Sequence, residues 1–500
     1  MQRPNQVELS EDIWAAHCDR IANICQQVIN RQPGKLLTIQ KNTSSHTVRA
    51  VNYKQDCHPI DVSSLNHILK IDREAKTALV EGQVLLGDLC RATLSVGLLP
   101  AVIPEYSDFT VSGLINGEGI QSSSHRYGLF SDTILSQEVI LGDGSAIATD
   151  SEQHANLFRL LFNSHGTLGI VTAATIHLID AAPYVKSSYQ HFRTIEPYIA
   201  AFERALNKTQ FMEGVVYGSG SYVLIATDFV SDIGNLPVFH PQEDGNPYYY
   251  QHVKQVVMSD STPTEEVIPT AEYIFRSMRG LWWMTECIVG LPMLTDSRWG
   301  RQYLDREIEK VRSKYGFSSP NLTSEERERC LVNQDMGMKL SRLREGIEYV
   351  QQNLNVYPIW NCAVKVRKRD RAAIGEEYVV DVGIYGEPMV PNYRNGCQMR
   401  ALQQFVDYPA LWGVSYLTRM EIHTKGIYDY QAYENIRQEY KAANAFVHLD
   451  DKIMWFDTSK PDPGKIPLWR LHSSYGRYWY LKFLVLMVIL VGLVVLAISI

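Results

Sequence analysis

Gly113, Gly117, Gly119 and Gly128, interleaved with small hydroxylic residues in the segment Ile103 to Phe130, constrain this chain more than any other feature. A stretch so rich in glycine and serine is not expected to serve as core filler. Glycine lets backbone N–H groups approach and bond an anionic group, and Thr110, Ser112, Ser122, Ser123 and Ser124 add hydroxyl donors. A pyrophosphate suits this chemistry; a glycine-rich surface loop without a ligand is the alternative that composition alone leaves open. The neighbouring sequence favours the first reading. EVILGDGSAIAT follows directly, with Asp143-Gly144 as a hairpin turn, and in SHGTLGIVTAATIHL the residues Gly166, Gly169 and Ile170 open a strand.

Around this segment the periodicities give an α+β chain. Ile13, Trp14, Cys18, Ile21, Ile24, Cys25 and Val28 recur at helical spacing over residues 11 to 30. Short β-type runs fill Leu36 to Ile179, interrupted by a helical stripe at Leu86, Leu89, Cys90 and Leu94 that stops at Gly97. From Pro183 to Asp457 longer alternations mix with helices expected over Arg301 to Tyr315 and Asp335 to Leu354. The expected divisions are an N-terminal helical segment (1–35), a first α+β domain (36–182), a second (183–457), a proline-rich linker (458–477) and a tail (478–500).

The tail carries Phe483 to Ile500, a run without a charged residue, behind Tyr478, Trp479, Tyr480 and Lys482. Eighteen such residues at about 1.5 Å each approach the roughly 30 Å hydrocarbon core. The expectation is a single-pass C-terminal anchor with Arg470, Arg477 and Lys482 on the cytosolic side. A net charge of -7, from 48 basic and 55 acidic side chains, leaves no electrostatic footprint for nucleic acid. The eight cysteines include no CxxC pair, so zinc and iron–sulfur sites lack support and reduced thiols are expected.

The glycine segment and the two runs after it resemble the FAD-binding domain of the vanillyl-alcohol-oxidase and p-cresol-methylhydroxylase (PCMH) type flavoproteins. With VYPIWNC (356–362), DVGIYGEP (381–388) and DDKIMWF (450–456), the chain from Gly34 to Asp457 resembles the delta(24)-sterol reductases. That resemblance implies a two-subdomain PCMH-type FAD domain at 36–182 and an α+β substrate, or cap, domain at 183–457. Thr110, Val111, Ser112, Gly113, Leu114, Ile115, Asn116, Gly117, Glu118, Gly119, Ile120, Gln121 and Ser122 would hold the FAD phosphates and ribityl chain. Gly169, Ile170 and Val171 would line the cofactor with backbone groups. The usual Gly-Gly-His-Ser phosphate loop is replaced by QKNTSSHTVRAV (40–51), so non-covalent FAD is expected, with His46 and His125 as structural histidines. The anchor also departs from the family, whose members carry it near the N-terminus.

The implied reaction is NADPH-driven reduction of the C24–C25 double bond of a sterol side chain, on the cytosolic face of the endoplasmic reticulum, with the sterol drawn from the membrane. No GxGxxG fingerprint is present, so NADPH would approach transiently through the cap domain. An unpolarised alkene needs a proton first or in concert, which calls for an acid in a dry cavity. The period of two puts Asp381, Gly383, Tyr385 and Glu387 on one strand face, and Tyr385 and Glu387 are the candidate catalytic residues. Tyr357 and Trp360 are candidates for the sterol wall. Two other functions stand as alternatives: an FAD oxidase or dehydrogenase of an alcohol or lactone, and a tethered sterol-binding flavoprotein without turnover.

Overall fold

The computed structural model describes residues 11–41, 53–259, 264–289, 292–315, 331–390, 393–394, 401–407, 430–452 and 464. The first helix, α1 (Glu11–Ile29), follows the expected stripe and buries Ile21, Ile24 and Val28. β1 (Leu37–Gln40) and β2 (His58–Asp61) form a parallel pair. A six-stranded antiparallel sheet follows: β3 (Ile68–Asp72), β4 (Thr77–Glu81), β5 (Leu98–Pro100), β6 (Ile134–Ile140), β7 (Ala146–Asp150) and β8 (Ile170–Asp180), in the order β3-β4-β8-β6-β7 with β5 also on β8. Gly144, at φ +84°, closes the β6–β7 hairpin. α2 (Leu86–Leu94), α3 (Val111–Gly117) and α5 (Ala155–Leu161) cover this sheet, and the one-turn α4 (Ser124–Tyr127) after α3 lies against strands of the second sheet.

The second sheet has eight strands. β9 (Tyr184–Phe192), β10 (Phe211–Gly218), β11 (Ser221–Val230), β12 (Glu265–Pro269), β13 (Val332–Gln334), β14 (Gly337–Lys339), β15 (Ile359–Lys365) and β16 (Tyr378–Gly386) run β12-β9-β11-β10-β15-β16-β13, with β14 also on β16. Alternation gives it two apolar faces. One, with Met212, Val216, Leu224, Ile359, Val382 and Ile384, is covered by α6 (Ile195–Ala205) and the helix Leu343–Asn353. The other, with Phe211, Val215, Val223, Trp360 and Tyr385, meets α7 (Tyr249–Met258) and the tryptophans Trp282 and Trp283. This second face turns toward the glycine segment, whose Tyr106, Phe109 and Ile120 pack on it.

Three expectations change. The helix expected from Asp335 begins only at Leu343, because Gly337, Met338 and Lys339 are taken up by pairing with Asp381, Val380 and Val379. The helix Tyr430–Glu439, expected within the second unit, lays Tyr433 and Ile436 into the core of the first, and Arg437 Nη1 donates to the Thr167 carbonyl at 2.7 Å. The C-terminal transmembrane helix is corrected: no helix among the described residues is long and apolar enough to cross a membrane. The two longest, α1 and Arg298–Tyr315, carry charged residues along their length. The expectation rested on the hydropathy of Phe483 to Ile500, which lies outside the described residues, and the membrane anchoring and endoplasmic-reticulum placement derived from it find no support among the described residues.

Candidate functional site

Thr110 caps α3, its Oγ1 accepting from Gly113 N at 3.2 Å. Val111, Leu114 and Ile115 point into the core, which leaves Gly113 and Gly117, four residues apart, on the exposed face of the helix. A Cβ built on Gly117 meets nothing within 4 Å, so open space lies against the backbone there. The other glycines act differently. A Cβ on Gly119 would stand 2.5 Å from Pro104 Cγ, and one on Gly169 would stand 2.5 Å from Val139 Cγ1, so both permit close packing. Near α3 the buried Gln83 donates to Ser112 Oγ at 3.0 Å while its Oε1 has no partner. An open glycine face beside an unsatisfied buried acceptor fits a large polar cofactor laid along α3.

The donors that the sequence offers are largely engaged within the protein. The backbone N–H groups of Val111 and Ser112 bond Val84 and Gly82 carbonyls. Ser123 Oγ donates to Ala101 O, and Ser124 Oγ accepts from Gln121 N. Asn116 Oδ1 accepts from Ser164 Oγ and Gly166 N, latching α3 to the turn before β8. Glu118 accepts from Ser131 N at 3.0 Å, and Gln121 Oε1 and Ser122 Oγ each accept from Arg276 at 3.1 Å. Ile120 is partly buried between two core clusters. Ile170 and Val171 open β8 with buried side chains, paired to Ile140 and Val139. What the segment offers a ligand is thus the bare face of Gly113 and Gly117 more than a ring of hydroxyls.

Arg276 links this segment to the second sheet. Its guanidinium lies over the Tyr273 ring at 4.1 Å and pairs with the buried Glu213 of β10, whose other oxygen accepts from Trp360 Nε1 at 2.8 Å. Cys362 Sγ contacts the Gln121 carbonyl at 3.3 Å. Beside Trp360 stand Trp282, with ring centroids 4.7 Å apart, and Trp283, whose indole donates to the Tyr385 carbonyl at 2.6 Å. Gly280, Leu281 and Trp282 are consecutive left-handed residues, at φ +79°, +48° and +59°. For the two non-glycines that costs on the order of 1–3 kcal/mol each, strain held where it sets an indole against the site. A small space of about 10 Å³ lies here, lined by Val215, Tyr217, Ile225, Tyr249, Tyr250 and Trp282 among others.

Acids gather at the same face. Asp381 and Tyr385 share one side of β16 with the intervening Gly383, where an added Cβ would meet the Tyr385 hydroxyl at 2.6 Å. Glycine there lets the ring fold back so that its phenol donates to Asp335 Oδ1. Asp381 is fully buried without a well-formed hydrogen bond to either oxygen, beside Asp335 and the Met336 backbone. Burial, reinforced by the Asp335 charge, holds its carboxyl well above the usual range. Burial likewise pushes Glu105 up to about 7, with the Asp335 charge adding and a Trp282 hydrogen bond and Arg276 opposing. Both carboxyls thus hold their protons to higher pH than ordinary carboxyls do.

Of the two expected catalytic residues, Tyr385 lies in this group, whereas β16 ends at Gly386 and Glu387 follows it, its charge bearing on the Cys287 thiol. The wall pair divides: Trp360 faces the site and Tyr357 packs on the opposite face of the sheet. His125 is buried and accepts from Asn207 N at 3.2 Å through Nδ1, and burial lowers its pKa to about 3; His46 lies outside the described residues. Sequence reasoning passed over Glu105, although it sits inside the glycine segment, and over Arg276 and Glu213, which carry no local signal.

Residues 14–150 match the family model of the FAD binding domain. The chain is 29% identical over 426 residues to the delta(24)-sterol reductase of Mus musculus, covering 81% of this chain and 80% of that protein. It is 30% identical over 381 residues to the delta(24)-sterol reductase of Arabidopsis thaliana, covering 71% and 65%. A delta(24)-sterol reductase homolog of Caenorhabditis elegans is 28% identical over 476 residues, covering 88% and 87%. The chain carries a PCMH-type FAD-binding domain homologous to those of these proteins, and its cofactor is FAD.

Proposed function

We propose that this FAD-dependent oxidoreductase reduces the C24–C25 double bond of sterol side chains with NADPH as electron donor. The observation that carries the reading is the placement of two carboxyls, the buried Asp381 and Glu105 beside Trp282, on an aromatic sheet face against the glycine segment. The similarity to delta(24)-sterol reductases over most of both chains supports the substrate class.

FAD, when bound, supplies the two-electron chemistry. Gly113 and Gly117 give it an approach along α3, with the segments Thr110 to Ser122 and Gly169 to Val171 as its proposed surroundings, and Arg276 and Glu213 fix Gln121 and Ser122 at its edge. Tyr249, Tyr250, Trp282, Trp283 and Trp360 form an apolar face that would pack against the sterol side chain and exclude water from it. An isolated alkene has no polarisation for an enzyme to exploit, so a group that still holds its proton at neutral pH must face it. Glu105 is our candidate donor, with a pKa suited to general-acid work near pH 7. Asp335, held by the Tyr385 phenol, keeps the Glu105 carboxyl raised.

The test is mass spectrometry of sterols after the purified protein is incubated with desmosterol, FAD and NADPH. A product two mass units heavier, absent without NADPH, is expected. An oxidised product formed without NADPH would assign the chain to the oxidase class.

A further inference from the structure

The run KVRKRDR, from Lys365 to Arg371, puts five cations within seven residues of a chain whose net charge is -7. The fold gathers them on one wall of an open cleft of about 370 Å³, whose other wall is Tyr127, Gly128 and Asp132 of the first domain. Not all five are available. Arg367 is held by Glu118 at 3.2 Å and Asp132 at 2.5 Å, and Arg371 pairs with Glu377 at 3.1 Å. Among the described residues Arg369 has an ion pair only with its chain neighbour Asp370, at 3.7 Å. Lys365 and Lys368 have no ion pair among the described residues, and Lys368 and Arg369 are exposed.

Like charges crowd this wall: Arg367 and Arg159 both act against the charge on Arg369, and Arg126 and Lys365 both bear on His125. Such a cluster is relieved by a multivalent anion, and guanidinium and ammonium groups together match phosphate oxygens. The location specifies the anion further. Lys365 ends β15 three residues beyond Cys362, about 10 Å along the strand, and Cys362 touches Gln121 of the glycine segment. Arg367 bonds Glu118 of that same segment, so the cleft borders the proposed flavin surroundings from outside.

We propose that this cleft binds the phosphates of the nicotinamide dinucleotide donor, with Lys365, Lys368 and Arg369 receiving the 2′-phosphate and pyrophosphate of NADPH. The assignment rests on the reading that NADPH is the donor. The experiment compares the FAD-loaded full chain with its Lys368→Gln/Arg369→Gln double variant, and with Lys365→Gln as a second, independent variant, during sterol-dependent NADPH oxidation. The KM for NADPH should rise roughly tenfold or more in the double variant, the size of two lost charge-assisted contacts. The kcat, the sterol KM and flavin absorbance should hold, and competitive inhibition by adenosine 2′,5′-bisphosphate should weaken in parallel. Wild-type turnover with NADPH and an unchanged NADPH KM in both variants would overturn the cleft while leaving the donor reading intact. Flavin that dithionite reduces and NADPH does not would overturn the donor reading, and the cleft with it. Capture of phosphatidylserine vesicles through these side chains, without effect on NADPH kinetics, would also count against the cleft.

Discussion

Arg276 sets Nε and Nη2 on a single carboxylate oxygen of Glu213, at 3.0 and 2.6 Å, with both side chains withdrawn from solvent. The same Nη2 reaches Gln121 and Ser122, so one buried pair joins the second sheet to the glycine segment. Removing one partner leaves an uncompensated buried charge, which costs on the order of 3–5 kcal/mol. Arg276→Met should therefore melt well below the parent and lose flavin on gel filtration. Arg276→Lys, which keeps the charge without the planar fork, should fall between the two. An unchanged melting temperature and flavin content in Arg276→Met would remove the joining role.

Gly117 gives a cleaner probe of the cofactor's path. Because a Cβ there meets nothing within 4 Å, Gly117→Ala should fold and hold flavin close to the parent level. Gly117→Glu should fold equally well and lose flavin, since its carboxylate would occupy the space along α3. Circular dichroism and flavin absorbance on the same samples separate folding from binding. Full flavin content in Gly117→Glu would place the cofactor elsewhere.

Glu105 predicts a pH profile. A general acid works while protonated, so the rate should be level below about pH 7 and fall as pH rises through it. Glu105→Gln should lower kcat by roughly 10²–10⁴ and abolish that limb, with flavin content unchanged. Retention of the limb in the variant would move the proton to Asp381 or Tyr385.

His17 makes a stability prediction far from the chemistry. Although burial opposes its charge, hydrogen bonds to Glu138 and Glu81 hold it protonated up to about 9. Since the folded pKa lies above the usual 6.5, its contribution is fully present below about pH 6.5 and is lost as pH rises through 9. The amount is on the order of 3 kcal/mol. Urea melts of the parent should show that decline between pH 6.5 and 9, and melts of His17→Gln should be flatter; parallel pH dependences would refute it.

Legibility in the sequence followed the range of each signal. α1 and the hairpin at Gly144 are local patterns and stand where the periodicity and the turn residues put them. The α+β character was likewise readable from strand runs, but the helix Tyr430–Glu439 packs into the core beside the first sheet through long-range contacts that no local pattern encodes. In the site, the period of two brought Tyr385 and Asp381 to one face. It could not register that the strand stops at Gly386, short of Glu387, or that Tyr357 and Trp360 point to opposite faces. Arg276 and Glu213 are 63 residues apart, and only the fold brings them together.

On the proposed reading, NADPH reduces the bound flavin and a Δ24 sterol reoxidises it. The direct measurement is anaerobic absorbance of the FAD-loaded protein, first with one equivalent of NADPH and then with desmosterol. Flavin colour should bleach on the first addition and return on the second, with the saturated sterol formed in equal amount. Bleaching that desmosterol does not reverse, or no bleaching at all, would contradict the account.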